Sequence, residues 1–230
     1  MNETTNGILH IVPTPIGNLD DITIRAVKVL SDVDIIACED TRHTGNLLKS
    51  LSIIPKKLIS YHEHNEKQRA NEIIQEIKSG NSVALVTDAG TPLISDPGFP
   101  LIKLAVENDV KIISLPGATA FVPALSSSGF PTNSFVFLGF PPQKKGRATF
   151  LKKLDSINET IILYESTHRI IKLLDELINL FGESRQICIA REISKIHEEY
   201  IRGSALQCKE YLLKNNKVKG EFVVVIDSLN

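Results

Sequence analysis

Cysteine is scarce in this 230-residue chain. Cys38, Cys188 and Cys208 make an odd count with no CxxC pair, and each sits in or beside an apolar segment. This excludes a disulfide framework and a zinc site of ordinary spacing, and it points to buried thiols in a reducing compartment. Long apolar runs are missing too: no window reaches 18 uninterrupted apolar residues, and the polar stretch Met1 to Gly7 has no signal-peptide pattern. A soluble, cytoplasmic protein with no membrane partner is expected. The familiar phosphate devices are also absent. There is no GxGxxG after the first apolar β-type run and no GxxxxGK[ST] anywhere, which argues against a nicotinamide dehydrogenase or a P-loop NTPase. No internal repeat or low-complexity tract interrupts the chain.

What the chain does have is organised around Val83 to Pro100, V-A-L-V-T-D-A-G-T-P-L-I-S-D-P-G-F-P. The β-branched run Val83 to Val86 reads as a buried strand, and Leu101, Ile102, Leu104, Ala105 and Val106 read as a helix packed on a sheet. Between them, Thr87 to Gly98 is longer than the usual 2 to 6 residues of a strand–helix connection. An ordinary connection is the plain reading of a lone Gly-Thr-Pro. The length and the interleaved polar residues favour a functional loop, since ligands in open α/β sheets bind outside the carboxyl ends of strands.

The same strand–loop–helix unit recurs. Ile8–Val12, Val33–Ala37, Leu58–Ser60 and Lys111–Leu115 read as further strands, each followed by a loop or helix start. Asn65 reads as the cap of a helix carrying Ala70, Ile73, Ile74 and Ile77 at i, i+3, i+4, i+7. Five such strands predict a parallel, doubly wound five-stranded sheet in an N-terminal domain, residues 1–128. Ser126-Ser127-Ser128-Gly129 marks the boundary. Phe135–Phe140, Thr160–Tyr164, Gln186–Ala190, Glu199–Arg202 and Phe222–Ile226 then predict a mixed α/β sheet in a C-terminal domain, residues 129–230. Charge is divided unevenly between the two: residues 1–129 hold 11 basic and 15 acidic groups, and residues 130–230 hold 15 and 12. No acid occurs from Gln143 to Leu154, where Lys144, Lys145, Arg147, Lys152 and Lys153 cluster.

Six motifs in order carry a resemblance: Thr14-Pro15-Ile16-Gly17-Asn18-Leu19-Asp20-Asp21-Ile22-Thr23, Glu39-Asp40-Thr41-Arg42, Asp88-Ala89-Gly90-Thr91-Pro92, Ser95-Asp96-Pro97-Gly98, Pro116-Gly117-Ala118 and Tyr164-Glu165-Ser166-x-His168-Arg169. From about Leu9 to Ile226 the chain resembles the bacterial ribosomal small subunit methyltransferase I family, of the tetrapyrrole-methylase-like class. The resemblance implies S-adenosylmethionine-dependent 2′-O-methylation of a cytidine ribose in the decoding region of 16S ribosomal RNA. It also implies a homodimer with the cofactor cleft between the two α/β domains. Many members extend further, with a small helical C-terminal segment that could add RNA contacts, whereas this chain ends four residues after Ile226.

Positions at strand ends nominate the cofactor contacts: Ile16 and Gly17 in the first loop, Asp88, Gly90, Thr91 and Ile94 in the central loop, and Ala118 and Thr119 after the fifth strand. Leu138 and Ala190 in the second domain complete the set. Glu39, Asp40 and His62 are the candidates to orient or deprotonate the ribose hydroxyl. Glu39, Asp40 and Arg42 also read as a helix-start charge cluster, although their place at a strand's carboxyl end favours function. His62 and His64 alternate like strand residues; without a third ligand they make a poor metal site, and no metal is expected. Arg42, Lys144, Lys145, Arg147, His168 and Arg169 are the candidate RNA contacts, against the plain reading that helix surfaces are often basic. Two rival functions remain: a small-molecule methylase of the same fold, which has no need of the basic cluster, and a non-catalytic RNA-binding assembly module.

Overall fold

The computed structural model describes residues 7–182 and 185–229. The first unit, Met1–Thr119, is built on β1 (Ile8–Ile11), β2 (Ile35–Cys38), β3 (Leu58–Ser60), β4 (Val83–Leu85) and β5 (Lys111–Ser114). All neighbours pair in parallel, in the order β3-β2-β4-β1-β5. Every residue of β2 and β4 is buried, as a central parallel strand covered on both faces must be, and this is why neither shows polar alternation. Successive side chains go to opposite faces. Leu9, Ile35, Ala37, Val83 and Leu85 join α3 (Glu66–Lys78) and α4 (Phe99–Glu107) in one core. Ile36, Cys38, Ala84 and Val86 join α1 (Ile24–Asp32) and α2 (Thr41–Ser50) in the other. The doubly wound sheet expected from five strand–helix repeats is the observed one.

The second unit, Ala120–Asn230, holds β6 (Phe135–Gly139), β7 (Thr160–Ser166), β8 (Gln186–Arg191), β9 (Glu199–Ser204) and β10 (Glu221–Ile226). Their order is β6-β7-β10-β8-β9. Only β6 and β7 run parallel; the other three pairs are antiparallel, so the sheet is mixed as expected. On it lie α6 (Arg147–Asp155), α7 (Ile170–Phe181) and α8 (Ala205–Lys214), whose apolar faces meet in one core around Leu163, Leu173, Leu174, Leu177, Ile189 and Val224. Ser204 and Gln207 form a reciprocal capping box that fixes the start of α8.

The chain divides after Thr119, nine residues before the serine-rich boundary read from composition. The reason is α5 (Phe121–Ser126). The Phe121 ring stacks on Phe137 at 4.8 Å, the Phe121 N–H donates to Tyr164 Oη at 3.2 Å, and Arg202 Nε donates to the Ser128 carbonyl at 3.1 Å. Helix and serine turn are therefore held by the second unit.

Candidate active site

Because all five strands of the first unit are parallel, their carboxyl ends share one edge, and the glycine and proline loops gather there. Thr14 and Gly90 exchange both backbone hydrogen bonds, 2.9 and 3.0 Å, as an isolated antiparallel bridge. The buried Thr14 Oγ1 also donates to the Thr87 carbonyl at 3.1 Å. Thr91 Oγ1 donates to the Ala118 carbonyl at 2.9 Å and lies 2.6 Å from Thr119 Oγ1. Thr119 Oγ1 also reaches the Gly117 carbonyl at 3.4 Å, so the two hydroxyls together hold this stretch of main chain. These bonds knit the loops after β1, β4 and β5 into one backbone-lined rim.

Two glycines are dictated by that knitting. Gly90 has φ +89°, a conformation that costs any residue with a Cβ. At Gly117, a Cβ would lie 2.6 Å from the Cβ of Pro13, so only glycine lets the first and last loops touch. The central loop also holds Leu93 at φ 72° and Ser95 at φ 68°. Non-glycine residues in this region carry strain that the surrounding structure must enforce, and such strain clusters at functional sites.

Glu39 and Asp40 leave the end of β2 beside this rim, and their roles diverge. Asp40 caps α2, with Oδ1 accepting the Arg42 N–H at 2.8 Å and the His43 N–H at 3.4 Å. The Arg42 guanidinium forks onto the same carboxylate, Nε to Oδ1 at 3.3 Å and Nη2 to Oδ2 at 2.8 Å. These bonds to Arg42 hold Asp40 well below the usual carboxylate range. Asp40, expected among the proton-handling groups, is thus a helix cap with both oxygens engaged. Its own N–H donates to Asp88 Oδ1 at 3.3 Å, tying the β2 and β4 loops together. Glu39 differs: burial, and then the charge of Asp88, push its carboxyl above the ordinary value.

His62 leaves the end of β3. Its backbone N–H donates to Asn65 Oδ1 at 2.9 Å, which turns the Asn65 amide nitrogen toward His62 Nε2 at 3.2 Å. Nε2 must then accept, and Nδ1 carries the ring hydrogen. Nδ1 is buried without a hydrogen-bond partner. Asn65 stands at the start of α3, where the sequence predicts a side-chain cap; it makes no such bond and orients His62 instead. His64 is exposed, its ring 6.0 Å edge-on from that of His62. Among the described residues no three His, Cys, Asp or Glu side chains gather as metal ligands would.

Asp96 lies in the central loop and in one of the six motifs, yet it is not among the site residues expected from the sequence, because Ser-Asp-Pro-Gly also reads as turn chemistry. In the fold it faces Glu39, Asp88 and the Thr87 hydroxyl, and burial pushes its pKa up to about 6. Only the crossing of two strand ends far apart in sequence creates that environment.

Of the other expected contacts, Ile16, Ile94 and Thr119 are half-buried and Gly17 is exposed at the loop edge. In the second unit, Ala190 is wholly buried and paired with Val223, and Leu138 packs against that unit's core. Lys144, Lys145, Lys152, Lys153 and His168 are exposed. The side chain of Arg42 is 88% exposed yet bound to Asp40. Arg147 departs from the RNA-contact expectation: it is 6% exposed, with Glu176 gripping its guanidinium at 2.6 to 3.0 Å and the Pro142 carbonyl taking Nη1 at 2.8 Å. Arg169 is partly buried, bonded to Glu165 at 2.9 Å.

Fold and loop-built rim together define a class. The family model for Tetrapyrrole (Corrin/Porphyrin) Methylases matches residues 8–207. Cobalt precorrin-4 methyltransferase superposes with a TM-score of 0.72 over 98% of this chain and 97% of that one at 18% identity. Uroporphyrin-III C-methyltransferase from Thermus thermophilus does so at 0.64 over 96% and 94%, at 16% identity. Proteins described as ribosomal RNA small subunit methyltransferase I are nearer in sequence. That of Hydrogenobaculum sp. is 48% identical over 96% of each chain, that of Buchnera aphidicola is 48% identical over 99% of this chain and 81% of that one, and that of Escherichia coli O157:H7 is 43% identical over 98% and 79%. The chain belongs to the ribosomal RNA small subunit methyltransferase I family.

Proposed function

We propose that this protein, as a cytoplasmic homodimer, transfers a methyl group from S-adenosylmethionine to the ribose 2′-hydroxyl of a cytidine in the decoding region of 16S ribosomal RNA. The relatives' description supplies the RNA class, and one structural observation supports the chemistry. The locked glycine rim and the proton-binding Glu39 lie at the same sheet edge.

The rim suits the cofactor. Gly90, Gly117 and Ala118 present main chain where larger side chains would intrude, and Thr91 and Thr119 fix that main chain with hydroxyl bonds. When bound, S-adenosylmethionine supplies a methyl group on a positively charged sulfur, open to in-line displacement by oxygen. The protein's task is then to place the hydroxyl and take its proton. Glu39 takes that proton: its oxygens are not committed to a helix cap as those of Asp40 are, and its raised affinity for protons matches the role. His62, half-buried at the end of β3 near Glu39, helps to position the ribose at this edge.

The test is mass mapping of small-subunit RNA incubated with pure protein and S-adenosylmethionine, using subunits from cells lacking it. One new ribose methyl on a cytidine is expected. Glu39→Gln should slow single-turnover transfer roughly 10²- to 10⁴-fold with cofactor affinity kept. A methyl on a base, or no transfer to any RNA, would sink the reading.

A further inference from the structure

Phe140, just beyond β6, is 49% exposed, yet its surroundings are rigid. The two carbonyls that follow it are each clamped by an arginine: Pro141 O accepts from Arg169 Nη1 at 3.3 Å and Pro142 O from Arg147 Nη1 at 2.8 Å. Each arginine is anchored in turn by a glutamate, Arg169 by the fully buried Glu165 and Arg147 by Glu176. Ion pairs this poorly solvated gain little net stability, because the desolvation cost offsets most of the attraction. What they hold here is geometry. The Phe140 ring meets Tyr164 edge-on at 5.5 Å, and Tyr164 rests edge-on against Phe137 at 5.0 Å. The ring is buttressed by Tyr164. The Arg169 guanidinium lies 6.0 Å from its centroid.

We propose that Phe140 and Arg169 form a preorganised stacking platform for an unpaired nucleobase of the RNA substrate. Aromatic rings and arginine planes are the two surfaces on which proteins stack splayed bases, and a fixed ring loses no rotamer freedom on binding. Charge complementarity selects this occupant. Lys144 and Lys145, both exposed, follow in the same loop, Lys152 and Lys153 are exposed on α6, and no acid falls between Gln143 and Leu154. Phosphates beside a stacked base would meet the lysines that follow Phe140 in the same loop.

The inference rests on the proposed RNA substrate, and its test reads binding rather than transfer so that the two fail separately. The chain has no tryptophan, so Phe140→Trp installs a sole indole reporter. With small ribosomal subunits lacking the modification, Phe140→Trp should bind as the parent does and its emission should be quenched. Phe140→Leu, which keeps apolarity but loses the ring, should weaken binding roughly 5- to 100-fold with S-adenosylmethionine affinity unchanged. Parental affinity in Phe140→Leu with no quenching in Phe140→Trp overturns the platform, even if methylation proceeds. So does a loss that appears in cofactor affinity, or in the monomer–dimer balance with RNA binding intact. Failure of the parent to methylate any RNA counts instead against the functional reading.

Discussion

Asp96→Asn should stabilise the protein, and only above a definite pH. In the folded chain Asp96 binds its proton with a pKa of about 6 because it is buried and faces Glu39 and Asp88, against an ordinary 3.8. Between those two values the folded state holds more protons than the unfolded one, so stability falls as pH rises through the window and the deficit stands in full above it. At 1.36 kcal/mol for each unit, the difference is worth roughly 3 kcal/mol. Asp96 is only partly buried, so solvent screening reduces this to about 1–2 kcal/mol. Asparagine keeps the size and an oxygen that accepts from the Thr87 hydroxyl while removing the charge. Urea unfolding at pH 4 should place parent and variant together, and at pH 8 should show the variant ahead by that amount. A stability difference that is the same at both pH values would refute the electrostatic account of this site.

Gly90→Ala meets only ordinary contacts at 3.4 and 3.7 Å, so its penalty is the φ of +89°, about 1–2 kcal/mol in thermal unfolding, accompanied by weaker S-adenosylmethionine binding in calorimetry. Unchanged cofactor affinity in that variant would remove the central loop from the site. Arg147→Ala should cost about 3–5 kcal/mol by stranding Glu176, whereas the double change Arg147→Met with Glu176→Leu should recover most of it. Lys144→Glu with Lys145→Glu should weaken subunit binding and flatten its salt dependence by roughly 0.7–0.9 for each phosphate left without its cation; identical slopes would return both lysines to ordinary surface.

Ten strands and the character of both sheets were legible in the sequence, because parallel central strands such as Ile35–Cys38 must be apolar on both faces and helices such as Glu66–Lys78 must be apolar on one. The glycine loops were legible too, since positive φ and close backbone approach leave few other residues possible. The division of labour among neighbouring polar groups was not. Glu39 and Asp40 are adjacent in the chain, and only the start of α2 decides that Asp40 caps a helix while Glu39 stays able to bind a proton. Arg147 stands in a run of basic residues, yet the packing of α6 against α7 buries it on Glu176 and leaves the lysines outside. Asp96 has the local signature of a turn and owes its proton affinity to burial, then to Glu39 from the end of β2 and Asp88 from its own loop. Periodicity and backbone geometry are short-range constraints and are written locally, whereas burial and the field of distant charges exist only once the chain has closed on itself.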